Sequence, residues 1–256
     1  MSAAPRSTPV IPPVCYSVPT EATSPRFCAA FAAGCGGTVE RYAQLRPGPV
    51  ALFGSPKLWP LLEQAKDEGR EIFYGDHGVF GRFVYYRITR NGFQHDGRGV
   101  STGERFKRFH RPVQPWITTG RHVLICPQSP IYFELFGINR DAWLEDVTTT
   151  LRAHTDRQIV VRTKRELRPI EADLKHCWAV VTYSSSSALD ALIAGVPVFV
   201  LADFAAAYRM GSPDLSQIES PVYPPDRQST MECLADQQWD LREIRTGQAW
   251  RALRVQ

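Results

Sequence analysis

Residues 178–201 read WAVVTYSSSSALDALIAGVPVFVL, and this stretch decides the fold. Trp178 to Thr182 is a short apolar run rich in β-branched residues, the pattern of a strand buried on both faces. The chain then delivers four consecutive serines, Ser184, Ser185, Ser186 and Ser187. A helix is expected over 187–194, closed by Gly195. Residues 196–201 form a second buried run. A strand, a helix and another strand in so few residues imply a parallel sheet with a right-handed crossover.

The same alternation extends in both directions. Upstream, HVLIC (122–126) and QIVVR (158–162) read as strands, with helices over 141–152 and 170–175. Earlier still, VCYSV (14–18), PVALF (49–53) and EIFY (71–74) are strands separated by helices over 25–33 and 55–69. Ser55 is placed to cap the second of these helices, with Pro56 at its first position. RPVQPW (111–116) reads as a connector. The expected architecture is α/β: two Rossmann-like lobes with parallel sheets facing across a cleft. The boundary is expected between residues 1–118 and 119–256, with an amphipathic segment over 230–251 closing the second lobe.

Composition narrows the class. A chain of 256 residues, 43% hydrophobic and 22% charged, can build a core without staples. The most apolar stretch, 188–207, is broken by Asp190, Gly195, Pro197 and Asp203, short of the about 20 apolar residues a membrane helix needs. The N-terminus lacks the apolar core and basic flank of a secretory signal, and its first ten residues are expected to be loose. Six scattered cysteines, several inside strand-like runs, suit buried free thiols and a cytoplasmic setting. Cys28 and Cys35 are close in sequence, but no second Cys/His pair accompanies them, so no metal site is expected.

The net charge of +4 is unevenly spread. Between Arg82 and Arg121 lie Arg87, Arg90, Arg98, Arg105, Lys107, Arg108 and Arg111, interleaved with Phe83, Tyr85, Tyr86, Phe93, Phe106, Phe109 and Trp116. Such a segment can meet a polyanion such as DNA, arginines on phosphates and rings on bases. It reads equally as an amphipathic surface with its rings turned inward.

The serines carry the chemistry. At the carboxyl end of a parallel strand, where ligands of open α/β sheets bind, hydroxyls and backbone N–H groups converge on a helix start and favour a phosphate. The plainer reading is a serine N-cap with solvated neighbours. No G-x-x-x-x-G-K-[ST], post-strand G-x-G-x-x-G, H-E-x-x-H or G-x-S-x-G motif is present.

With its Ser-rich turn and ALDALIAGVPV helix, the run resembles the nucleotide-binding half of GT-B glycosyltransferases. It is similar to the Kdo-transferase and bacterial sialyltransferase branches and, more distantly, to nucleotide-sugar 2-epimerases, over about residues 121–250. The segments YGDHGVFGR and DLSQIE resemble parts of phage and prophage proteins, a likeness that carries no activity. The glycosyltransferase resemblance implies a nucleotide-sugar co-substrate and no cofactor. It implies basic groups at the end of the preceding strand, where Arg162 and Lys164 stand in place of the family's His-Pro motif. It also implies a catalytic base in the first lobe, where Asp76, or His77 beside it, ends a strand; a capped turn explains the pair as well. Neighbouring Arg82, Arg87 and Arg90 would hold an anionic acceptor. Asp214 and Glu219 would bond sugar or ribose hydroxyls, although a helix cap accounts equally for Asp214. The Asp-x-Asp metal motif of the other large glycosyltransferase fold is missing, so a metal-independent transfer is expected.

The function expected on this reading is glycosyl transfer from a nucleotide sugar to a hydroxyl, with a hydroxylated base in phage DNA as one acceptor. Two alternatives stay open: a non-catalytic nucleic-acid-binding protein on the same scaffold, and a nucleotide-sugar epimerase.

Overall fold

Ser55 opens the second crossover as its sequence requires. Its extended backbone lets the side chain accept a hydrogen bond from the Lys57 N–H, and Pro56 starts a 3-10 turn that runs into a helix. The computed structural model describes residues 11–163 and 168–255; the expectations for the first ten residues and for Lys164 lie outside them. The first half of the chain contains β1 (Val14–Ser17), α1 (Ser24–Cys35), β2 (Thr38–Arg41), β3 (Val50–Phe53), α2 (Trp59–Asp67), β4 (Ile72–His77), β5 (Tyr85–Arg90) and α3 (Glu104–Lys107). There follow β6 (His122–Ile125), α4 (Pro130–Leu135), α5 (Arg140–His154), β7 (Gln158–Val161), α6 (Ile170–Leu174), β8 (Cys177–Thr182), α7 (Ser187–Ile193) and β9 (Val198–Val200). The chain ends in α8 (Arg227–Asp236), β10 (Gln238–Asp240), α9 (Leu241–Arg245) and α10 (Gln248–Val255).

Two sheets result. The first has the order β10-β5-β4-β3-β1-β2, and the β1–β2, β1–β3 and β3–β4 pairs are parallel. The second, β7-β6-β8-β9, is parallel throughout. No helix among the described residues is long and apolar enough to cross a membrane.

The second sheet shows why its strands read as unbroken apolar runs. Alternate residues of a strand face opposite sides. On β6, Val123 and Ile125 pack with Val147 and Leu151 of α5. Leu124, with Cys126 just beyond the strand, packs with Ala188, Leu189 and Leu192 of α7. Both faces are covered, so neither tolerates a polar alternation.

The chain divides into two compact units, but not by a single cut at 118/119. One comprises the chain up to Asp76, Ile88–Gly92 and everything from Trp239 onward; the other comprises His77–Arg87 and Phe93–Gln238. The first difference concerns the C-terminus. The amphipathic stretch over 230–251 is not one element: after α8 and β10, the Asp240 and Glu243 side chains form a reciprocal capping box that starts α9. Trp250 of α10 then joins Phe31 and Phe73 in the first unit's core, with ring centroids 6.0 and 5.1 Å away. These contacts place α10 in the first unit, while α8 stays with the second. The second difference concerns RPVQPW. Rather than linking lobes, it lies on the end of α7, where the Gln114 N–H donates to the Ile193 carbonyl (2.8 Å) and the Ile117 N–H to the Gly195 carbonyl (2.7 Å). Sequence reading also missed β2 and α4. β2 is a largely exposed edge strand, TVER, without an apolar run to mark it.

Candidate functional site

The carboxyl ends of three adjacent parallel strands open onto one cleft of about 260 Å³. Cys126 and Pro127 follow β6, Arg162 and Thr163 follow β7, and Ser185, Ser186 and Ser187 follow β8; Arg82, Ile170 and Asp190 complete the lining. This is where an open α/β sheet binds its ligands, because the strands end there together while the loops beyond them are free to vary.

The serine turn is held from below. The Thr182 hydroxyl donates to the Cys126 carbonyl (2.7 Å) and accepts from the Ser185 N–H (3.2 Å), joining the ends of β6 and β8. The Ser185 and Ser187 hydroxyls lie 3.0 Å apart, and the Ser185 hydroxyl accepts from the Ser187 N–H (3.3 Å). Ser184 is placed differently from the three serines that follow it. Its side chain is buried outside the cleft lining, and its hydroxyl has no hydrogen-bond partner among the described residues. Its carbonyl accepts from the Gln94 side-chain amide (2.9 Å), whose oxygen accepts from the Ala206 N–H (3.0 Å). Gln94 is therefore a brace between two loops at the end of the sheet. Because α7 spans only seven residues, hydroxyls and guanidinium groups, rather than a long helix dipole, are what the cleft offers an anion.

Arg162 lines the cleft as expected, but its charge is engaged. The guanidinium bonds the buried Asp173 carboxylate and, at 2.6 Å, the Arg168 carbonyl; Arg168 reaches the same carboxylate. The side chains of Arg162 and Asp173 are 13% and 5% exposed. Asp190, which sequence reading passed over, sits in the cleft paired with Arg111 at 2.8 Å. Burial raises its pKa, and the neighbouring Arg111 works against that rise. The signal for Asp190 was its place one turn into the helix after Ser186 and Ser187, on the same face.

Other expected site residues are placed elsewhere. Asp214 and Glu219 are not in the cleft lining. Asp214 caps the turn that follows it, accepting from the Ser216 N–H (3.0 Å) and hydroxyl (2.7 Å), contacts that lower its pKa. Glu219 forms a two-pronged ion pair with Arg157, which likewise holds its pKa down. Arg90 binds Glu71 at 2.5 Å, and Arg87 is half-buried within β5. Asp76 and His77 end β4 as expected. Consecutive strand residues leave opposite faces, and the His77 ring packs against Phe83 and Tyr86, with centroids 4.9 and 5.8 Å away. Among the described residues no cluster of three or more His, Cys, Asp or Glu side chains is arranged to hold a metal.

Burial pushes the Cys126 thiol up to about 12, opposed by its Ser187 hydrogen bond and by Arg162. A thiol of this kind is only about one part in 10⁴ thiolate at pH 8. Native protein is expected to leave Cys126 unlabelled by iodoacetamide at pH 8, with labelling growing as pH rises towards 12. Peptide mapping checks this, and ready labelling at pH 8 would contradict the buried geometry.

Parallel sheets covered on both faces, with a polar cleft at the strand ends, give the chain a glycosyltransferase-like α/β fold. Among solved structures it is similar to KpsC, beta Kdo 2,4 transferase, of Thermosulfurimonas dismutans, with a TM-score of 0.54 and 14% identity over 87% of this chain and 89% of that one. It is also similar to KpsC, beta Kdo 2,7 transferase, of the same organism, with a TM-score of 0.53 and 14% identity over 94% of this chain and 99% of that one. No family model and no curated protein matches the chain. The likeness to phage proteins gains no support from these comparisons.

Proposed function

We propose that the chain is a glycosyltransferase whose serine cleft receives the phosphate of a nucleotide-sugar donor. The observation that carries this reading is the convergence of Ser185, Ser186, Ser187 and Arg82 on one cleft at the ends of adjacent parallel strands, with Arg162 in its wall. Serine hydroxyls and guanidinium groups bond phosphate oxygens and offset charge on a departing nucleotide. The similar structures, which are Kdo transferases, agree with it. The transfer is metal-independent on this reading, the side chains taking up leaving-group charge. The acceptor is a hydroxyl, with Asp76, or His77 in its place, as its base. A hydroxylated DNA base remains one acceptor to screen.

The nucleic-acid-binding alternative loses ground on charge. Five cations of the basic segment, Arg90, Arg98, Arg105, Lys107 and Arg111, already face carboxylates. These pairs offset part of the positive charge that the segment would present to a phosphate backbone.

The test is a thermal-shift panel of UDP-, GDP-, CMP-, dTDP- and ADP-sugars with wild type and Ser185→Ala. A ligand that binds only the folded state raises the melting temperature. One nucleotide is expected to raise it in wild type and to do so less in Ser185→Ala. No shift with any donor would overturn the reading, and turnover of a donor without acceptor would move it to an epimerase.

A further inference from the structure

Among the described residues, two of the arginines around the serine cleft are engaged with carboxylates, and a third is not. Arg162 is held by Asp173, whose carboxylate is almost wholly buried and is shared with Arg168. Arg111 is held by Asp190, with Glu171 at 3.9 Å on its other side. A cation already paired to a buried carboxylate is poorly placed to bind an incoming anion. Swinging away would strand the carboxylate, and staying leaves most of its field cancelled. Asp190 also brings a negative charge of its own to the cleft wall.

Arg82 differs on each count. It lines the same cleft, its side chain is exposed, and no carboxylate pairs with it among the described residues. It stands in the short turn between β4 and β5, where Gly81 and Phe83 both take the left-handed backbone conformation, with φ of 59° and 73°. The Phe83 ring lies 5.3 Å from the Arg82 guanidinium carbon. Val84 and Phe83 are 60% and 70% exposed, so the turn presents its residues to solvent.

We propose that Arg82 is the residue that binds the anionic group entering the serine cleft, while Arg162 and Arg111 act as structural ion pairs that shape its walls. Arg82 thus belongs with the donor's phosphate rather than with an acceptor. The ligand class is a phosphate or diphosphate ester, because a planar guanidinium pairs two oxygens of such a group while the serine hydroxyls supply the remaining bonds. This assignment rests on the glycosyltransferase reading and refines it.

The experiment uses the full chain and calorimetric titration with inorganic pyrophosphate, and with whichever nucleotide sugar stabilises wild type. Arg82→Gln is expected to weaken both ligands about tenfold or more, in the range that losing a charged hydrogen-bond pair produces. Its melting temperature should be unchanged, because the side chain is exposed. Arg82→Lys should recover part of the affinity, since the charge returns without the planar fork. A purely structural role would show neither the preserved stability nor the partial recovery. If wild type binds a nucleotide sugar and Arg82→Gln binds it equally well, this assignment is wrong and the glycosyltransferase reading stands. If wild type binds neither pyrophosphate nor any nucleotide sugar, both fall together.

Discussion

Gly195→Ala is expected to destabilise the protein by about 3 kcal/mol or more, from left-handed backbone strain and a core collision together. Gly195 ends α7 with φ +84°, and a Cβ there would run into the Pro115 carbonyl oxygen. Relief is blocked, because the 114–117 segment is fastened to this corner through the Ile193 and Gly195 carbonyls. The buried Arg227 adds to the fastening: its guanidinium bonds the Leu192 carbonyl (2.8 Å) and the Gln114 carbonyl, and lies 3.7 Å from the Trp116 ring centroid. Gly137 provides the control. It has φ +64° but open space around its missing Cβ, so Gly137→Ala should cost only the conformational term, about 1 kcal/mol. Urea denaturation of the two variants measures the difference. Equal losses would mean that the 114–117 segment does not press on α7.

Asp173→Ala is expected to cost a further large amount, about 3 kcal/mol, because removing one partner of a buried ion pair leaves the other uncompensated. Arg162 is the more buried of its two cationic partners, so it bears most of the loss. The readout is again the urea midpoint, and a change below about 0.5 kcal/mol would show that the pair is effectively solvated. The result bears on function as well. Arg162→Gln should lose stability for the same reason, so reduced ligand binding in that variant would not establish contact with the ligand. Arg82→Gln is free of this ambiguity, which makes it the more informative variant at the cleft.

Several parts of the site were legible because they are local. The β6, β8 and β9 strands of the second sheet are buried on both faces, and that condition writes itself into sequence as continuous apolar runs. The serine turn follows such a run directly, so its place at a strand's carboxyl end required only the alternation of strand and helix. Ser185, Ser186, Ser187 and Arg162 line the cleft. Asp214 and Glu219 do not. Their hydroxyl-binding role came from resemblance alone, whereas their hydrogen bonds to Ser216 and Arg157 meet their needs where they stand.

What the sequence determined by itself was the alternation, hence the parallel sheets, and the position of the serines at the end of β8. Hydrophobic period and turn chemistry act over a few residues, so a linear reading captures them. Tertiary structure alone decided which charges meet. Arg162 pairs with Asp173 on α6, Arg111 pairs with Asp190 on α7, and Arg82 comes to the cleft from the turn after β4. It likewise decided that RPVQPW and Arg227 brace the end of α7, and that α10 belongs to the first unit's core. Ion pairing depends on distances of a few ångströms in space and leaves no period along the chain, so only the folded arrangement could show which arginine of the cleft has no carboxylate partner among the described residues.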